Sequence, residues 1–252
     1  MIKVTSTPNN LGARVSGSFD DFSRLYDAIH EVAGMEGEYK RHTCSFFRTL
    51  GFCYDLRHAI QGDRQFEFCE NRLDENMPLP GNMIASSRNL RMAFDTMWPE
   101  MLFVMAALND LIILYSHKLT REKVLFMCDK NIAWDGNIAA VRGLQAAVAD
   151  HFRATLAAPA YSKINNALNR GYSITVLDGY AGQYIDILNH RFAKLDRKAR
   201  LTTLPGFAKK ITEMNAEYRE LKDFVETEAK KKGCDISDIR LAGYDVPEDI
   251  EF

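Results

Sequence analysis

The stretch PEMLFVMAALNDLIILYSHKL, residues 99–119, decides how the rest of the chain must fold. Its apolar side chains point to every side of a helix, and between Met101 and Leu114 only Asn109 and Asp110 are polar. A helix apolar all round has to be covered on all sides. Pro99 suits the first helical turn, where its missing N–H leaves nothing unsatisfied, and Glu100 suits the positive end of the helix dipole. The apolar run 101–108 is too short to span a bilayer, so this helix is predicted to be the buried centre of a domain rather than a membrane segment.

The residues before it supply a sheet and two covering helices. A β-branched segment (2–7), the turn Pro8-Asn9-Asn10 and an alternating segment (13–18) predict a β-hairpin. Ser18 or Asp20 then caps a helix with the stripe Phe22, Leu25, Tyr26, Ile29 and Val32, closed by Gly34. A second helix is expected over residues 43–64 and stops near Gly62. Residues 65–69 and 90–94 read as strands, Met83-Ile84 as another, and 71–81 as a loop. After the central helix, residues 138–156 form a helix with Val141, Leu144, Val148 and Phe152 inward, ended by Pro159. The fold class is therefore α+β: a small N-terminal antiparallel sheet packed on a mostly helical core.

Beyond residue 160 the pattern changes. A short helix is expected over 162–170, then helices over 184–201 and, after Pro205-Gly206, over 207–232. Phe207, Ile211, Met214, Tyr218, Leu221 and Val225 recur at alternating steps of four and three, the seam of a coiled coil. The expected organisation is a core domain (1–160), a helical extension with that seam (161–233), and an acidic, loosely ordered tail (234–252). The seam is the predicted interface for a second copy or another protein.

The sharpest chemical signal lies in residues 43–64, TCSFFRTLGFCYDLRHAIQGDR. Phe46, Leu50, Cys53, Tyr54 and Ile60 share a face, which places Arg57 near the middle of the apolar arc, Gln61 beside it, His58 at its edge and Asp55 opposite. A guanidinium in a core keeps its proton, so it needs a carboxylate or an anionic ligand. Two readings of Arg57 stand side by side. In one it pairs with Asp110, or failing that Glu100, and locks two helices together. In the other Arg57, His58, Gln61, Asp110 and His117 line a pocket for a small anionic ligand. An enzyme acting on a nucleotide or phosphoester would use the same residues, with His58 or His117 moving protons.

Composition narrows the remaining options. The 252 residues carry a formal charge of −2, which gives no overall attraction to nucleic acid or an anionic membrane. Twelve basic against seven acidic residues between positions 190 and 232 give a local charge of +5, densest at Arg191, Lys194, Arg197, Lys198 and Arg200. That cluster is either a solvated helix face, the reading preferred here, or a phosphate contact surface through which Arg191 to Arg200 would bind nucleic acid. Five scattered cysteines without a CxxC and no signal segment predict a cytoplasmic protein. There is no metal-ligand spacing, nucleophile elbow, P-loop or dinucleotide fingerprint, so no metal or cofactor is implied.

At CYDLRHAIQGDR (residues 53–64), WPEMLFVMAALNDLI (98–112) and SGSFDDFSRLYDAIHEV (16–32), the chain resembles an uncharacterised bacterial family, one of the domains of unknown function. The likeness covers roughly residues 1–155 and leaves out the C-terminal helices. It implies no reaction, because none is assigned to the family.

Overall fold

In a computed structural model of the protein, residues 1–71, 86–120, 128–169, 174, 179–245 and 250–252 are described. The expected strand at Met83-Ile84 lies outside them. The elements run β1 (Lys3–Ser6), β2 (Gly12–Gly17), α1 (Phe19–Ala33), α2 (Thr43–Gln61), β3 (Gln65–Glu70), β4 (Arg88–Met97), α3 (Trp98–Leu119), α4 (Lys130–Ala133), α5 (Gly136–Thr155), α6 (Ala158–Leu168), α7 (Gln183–Ala193), α8 (Arg197–Thr212) and α9 (Ala216–Lys232). The four strands form one antiparallel sheet in the order β1-β2-β4-β3. The α+β class holds.

Local chemistry explains the boundaries. The Ser18 hydroxyl accepts from the Asp21 N–H while Asp21 reaches back to the Ser18 N–H, a complete capping box. Gly62 ends α2 at φ 88°, a left-handed conformation that glycine adopts without steric cost. Phe94 of β4 meets the rings of Phe22 from α1 and Phe52 from α2 at 5.8 and 5.2 Å, which fixes both helices to one sheet face. β4 runs directly into α3, and α3 is buried along most of its length, with Leu102, Phe103, Val104, Leu108 and Ile112 fully enclosed. By length and composition this helix passes for a membrane span, yet it is wrapped by its own chain.

The C-terminal third departs from expectation. The two long helices are three shorter ones, because Asp196 and Asn215 each cap a new helix with their side chains. Short polar side chains that bond nearby backbone N–H groups compete well with helix continuation. Pro205 lies inside α8, not between helices, and Pro159 opens α6. The seam turns inward: Phe207, Ile211, Tyr218 and Val225 are buried within the chain, Leu221 is half-buried and Met214 is the exposed member, 40% accessible, at the break between α8 and α9. One hydrophobic cluster runs from Val4 through α3 to Tyr218, so α6, α7 and α8 pack on the central helix, while Val225 and Ala229 of α9 form a small separate cluster with Ile239. The segment after Gly233 is also partly tied down. Ile239 is buried, Gln183 donates to the Ile236 and Ile239 carbonyls at 2.7 and 2.9 Å, and Phe252 packs on the core.

Candidate functional site

The face of α2 that matters is not the one carrying Arg57. Ser45, Thr49, Phe52, Leu56 and Ala59, with Phe46 and Cys53, are buried, about a quarter turn from the predicted arc. Arg57 is exposed and its guanidinium sits 5.3 Å from the centre of the Tyr54 ring. It therefore forms no buried pair with Asp110 or Glu100. The physical reason is that α2 has apolar residues on most faces, so the sheet and α3 choose which face is covered. His58 is half-buried, its Nδ1 3.1 Å from Asp63 Oδ2. Gln61 and His117 are exposed, and Asp110 is enclosed within α3. The structure does not bring these five side chains to one pocket.

A different arginine meets the condition set for Arg57. Cys44, Phe47, Arg48, Gly51, Phe52 and Asp55 follow one another at helical steps of three, one, three, one and three, a single stripe of α2. This stripe lines a cleft of about 410 Å³ closed by Thr96 and Glu100 at the β4–α3 junction, Gly182, Gln183 and Asp186 at the start of α7, and Ser237, Ile239 and Arg240. Every nitrogen of Arg48 is engaged. Nε donates to Glu100 Oε1 at 2.8 Å, Nη2 donates to Glu100 Oε2, and Nη1 donates to the Gly182 carbonyl at 2.8 Å and Asp186 Oδ1 at 2.9 Å. Asn189 adds a donor to Glu100 Oε2 at 3.0 Å. Burial alone would lower the Arg48 pKa; Glu100 and Asp186 more than reverse that and hold the guanidinium charged. The network joins α2, α3 and α7 through one side chain, a fork that only arginine supplies.

The other lining groups differ in charge state and in free valence. Burial raises the Asp55 pKa against the pull of Arg64, which donates to Asp55 Oδ1 at 2.8 Å. Burial pushes the Cys44 thiol up to about 11, so it is protonated at neutral pH and is a poor nucleophile. Asp55 and Asp186 each hold a hydrogen bond on one oxygen and none on the other among the described residues. Arg240 lies exposed at the rim. No group of three or more His, Cys, Asp or Glu side chains among the described residues is placed to hold a metal.

Sequence reasoning missed Arg48, although its signal was present. Glu100 was named as a partner for a buried arginine on this helix, and it is one, for a residue two and a half turns before Arg57. Of the basic cluster, Arg191 pairs with Glu217, and Arg200 donates to the Asn9 and Ala193 carbonyls at 2.8 and 2.9 Å. Asp150 pairs with Arg153, while its neighbour His151 faces Ser6 at 2.9 Å, so the two do not act together.

A family model described as a domain of unknown function, DUF6904, matches residues 2–252. The chain belongs to that family. The match includes the C-terminal helices that the motif resemblance left out. No curated protein and no solved structure matches the chain.

Proposed function

We propose that this member of the DUF6904 family is a binding protein, and that its ligand occupies the Arg48 cleft with an amine, guanidine or other donor-rich group. One observation carries the reading: beside Arg48 the spare valences of the inner wall are carboxylate acceptors, and the cationic Arg240 lies exposed at the rim. Among the described residues Asp55 and Asp186 each keep an unbonded carboxylate oxygen, while four of the five Arg48 N–H donors are already committed within the chain. A cationic donor in a partly desolvated cleft gains more from such oxygens than it would in water. Five free cysteines support a reducing, cytosolic setting. The test is a thermal-shift comparison of arginine, agmatine and spermidine against glutamate and phosphate. Cationic compounds should raise the melting temperature, and Asp186→Asn should remove that rise, read against the variant's own unliganded value because Asp186 also holds Arg48. Stabilisation by the anions alone, or by the cations equally in Asp186→Asn, overturns the reading.

A second reading, self-association, is favoured by the edge of the sheet. Among the described residues β3 is an edge strand, and Phe66, Phe68 and the cross-strand neighbour Leu90 are 47%, 70% and 50% exposed. Exposed apolar edges are templates for pairing with another chain. With Phe207, Ile211, Tyr218 and Val225 of the seam buried, this reading puts assembly at the β3 edge instead. Phe68→Glu should then reduce the particle mass seen by light scattering, and an unchanged mass removes the reading.

A further inference from the structure

The junction of α3, α5 and α6 holds a second withdrawn arginine with a different set of neighbours. Arg142 of α5 is half-buried. Its Nη1 donates to the amide oxygens of Asn109 and Gln145, the latter at 2.7 Å. The orientation of both amides is dictated from behind. Asn109 Nδ2 donates to the Leu168 carbonyl at 3.0 Å, and Gln145 Nε2 donates to the Met105 carbonyl at 3.0 Å and to Asn109 Oδ1 at 3.1 Å. Each amide nitrogen is committed, so each amide oxygen must face the guanidinium. The clamp is rigid and neutral.

Nothing in it cancels the positive charge. Among the described residues no carboxylate bonds to Arg142, and burial lowers its pKa. A guanidinium cannot escape this position by losing its proton. Among the described residues Nε and Nη2 make no hydrogen bond, and neither is sealed from solvent. These two nitrogens form the edge that matches a carboxylate with two parallel hydrogen bonds. Beside the clamp, Asn109 and Gln145 also wall a cavity of about 60 Å³ whose other sides include Met105, Val148, Phe152 and Leu168.

We propose that Arg142 anchors a second binding site, which takes a small carboxylate on the Nε–Nη2 edge. The half-buried position, the fixed amide clamp and the missing counter-ion are the conditions under which an external anion supplies what the fold does not. The site is remote in sequence and chemistry from the Arg48 cleft, and its standing does not depend on the reading of that cleft.

The experiment is a titration of the full-length, nitrogen-15-labelled protein with sodium acetate, against sodium chloride at matched ionic strength, following the arginine Nε–H resonances. One resonance, identified by its loss in Arg142→Met, should shift saturably with acetate and not with chloride. Arg142→Lys, which keeps the charge and the packing but loses the two-pronged edge, should bind acetate roughly tenfold more weakly, as read from the remaining amide shifts near Asn109. Arg153→Met, an exposed arginine on the same helix, should leave the response unchanged. A linear response equal to that of chloride, or a saturable one that persists unweakened in Arg142→Lys, overturns the site. If Arg142→Met does not fold, the lysine variant and the chloride control still decide the question.

Discussion

Arg48 and Arg142 are both drawn out of solvent at helix junctions, and both keep their charge, yet their surroundings have opposite logic. Arg48 faces Glu100 and Asp186, and four of its five N–H donors are used within the chain. Arg142 faces two neutral amide oxygens and leaves one edge open. The first arrangement is a clamp whose parts depend on one another; the second is a receptor-like half. What decides between structure and binding is therefore the identity of the partner, more than the depth of burial.

The contrast can be broken most directly by removing each guanidinium. Arg48→Met strands Glu100 in a partly buried position and should cost about 3–5 kcal/mol in denaturant unfolding, the range for breaking such a pair from one side. Adding Glu100→Gln should recover a large part of that loss, because it removes the uncompensated charge. A small single-mutant effect would mean that water already shields the pair. Arg142→Met leaves no charge behind and should cost less, about 1–3 kcal/mol, the range for leaving the Asn109 and Gln145 amide oxygens without their donor. An equal cost for the two variants would erase the distinction drawn here.

The pH dependence sharpens the Arg48 side. The carboxyl of Asp55 has a higher pKa in the folded chain than an ordinary aspartate, chiefly through burial. Its protonated form thus favours the fold, and its contribution to stability declines as pH rises from the ordinary carboxylate value through the raised one. Asp55→Asn should flatten the stability profile across that window, measured by unfolding at a series of pH values. A profile identical to that of the wild type would show that Asp55 titrates normally. The smallest effect is expected at Arg57, the residue singled out by the sequence. Arg57→Met loses an exposed contact with Tyr54 and should change stability by no more than about 0.5–1 kcal/mol.

Much of the fold was legible before any coordinates. The hairpin of β1 and β2, the capped helix after Ser18, the stop at Gly62 and the enveloped helix α3 all follow from side-chain periodicity and turn chemistry. The C-terminal helices were harder, because a four-three repeat runs through Asn215 without a gap while the Asn215 side chain starts a new helix there. The repeat was real in the sense that Phe207, Ile211, Tyr218 and Val225 are buried, but their partners are the central helix, the tyrosines of residues 180 and 184, and Ile239. A seam in sequence specifies burial without naming the surface that provides it.

By itself the sequence determined that α3 would be the centre and that strands would precede it, and it asked for an arginine of α2 paired with an acid of α3, Asp110 first and Glu100 second. Only the tertiary structure decided which arginine that was. An α-helix with apolar residues on most of its faces has no preferred rotation about its own axis, so the rotation is set by what packs against it. Phe94 of the sheet and the side chains of α3 take the Phe52 face, and that choice carries Arg48 to Glu100 and Asp186 while turning Arg57 to water.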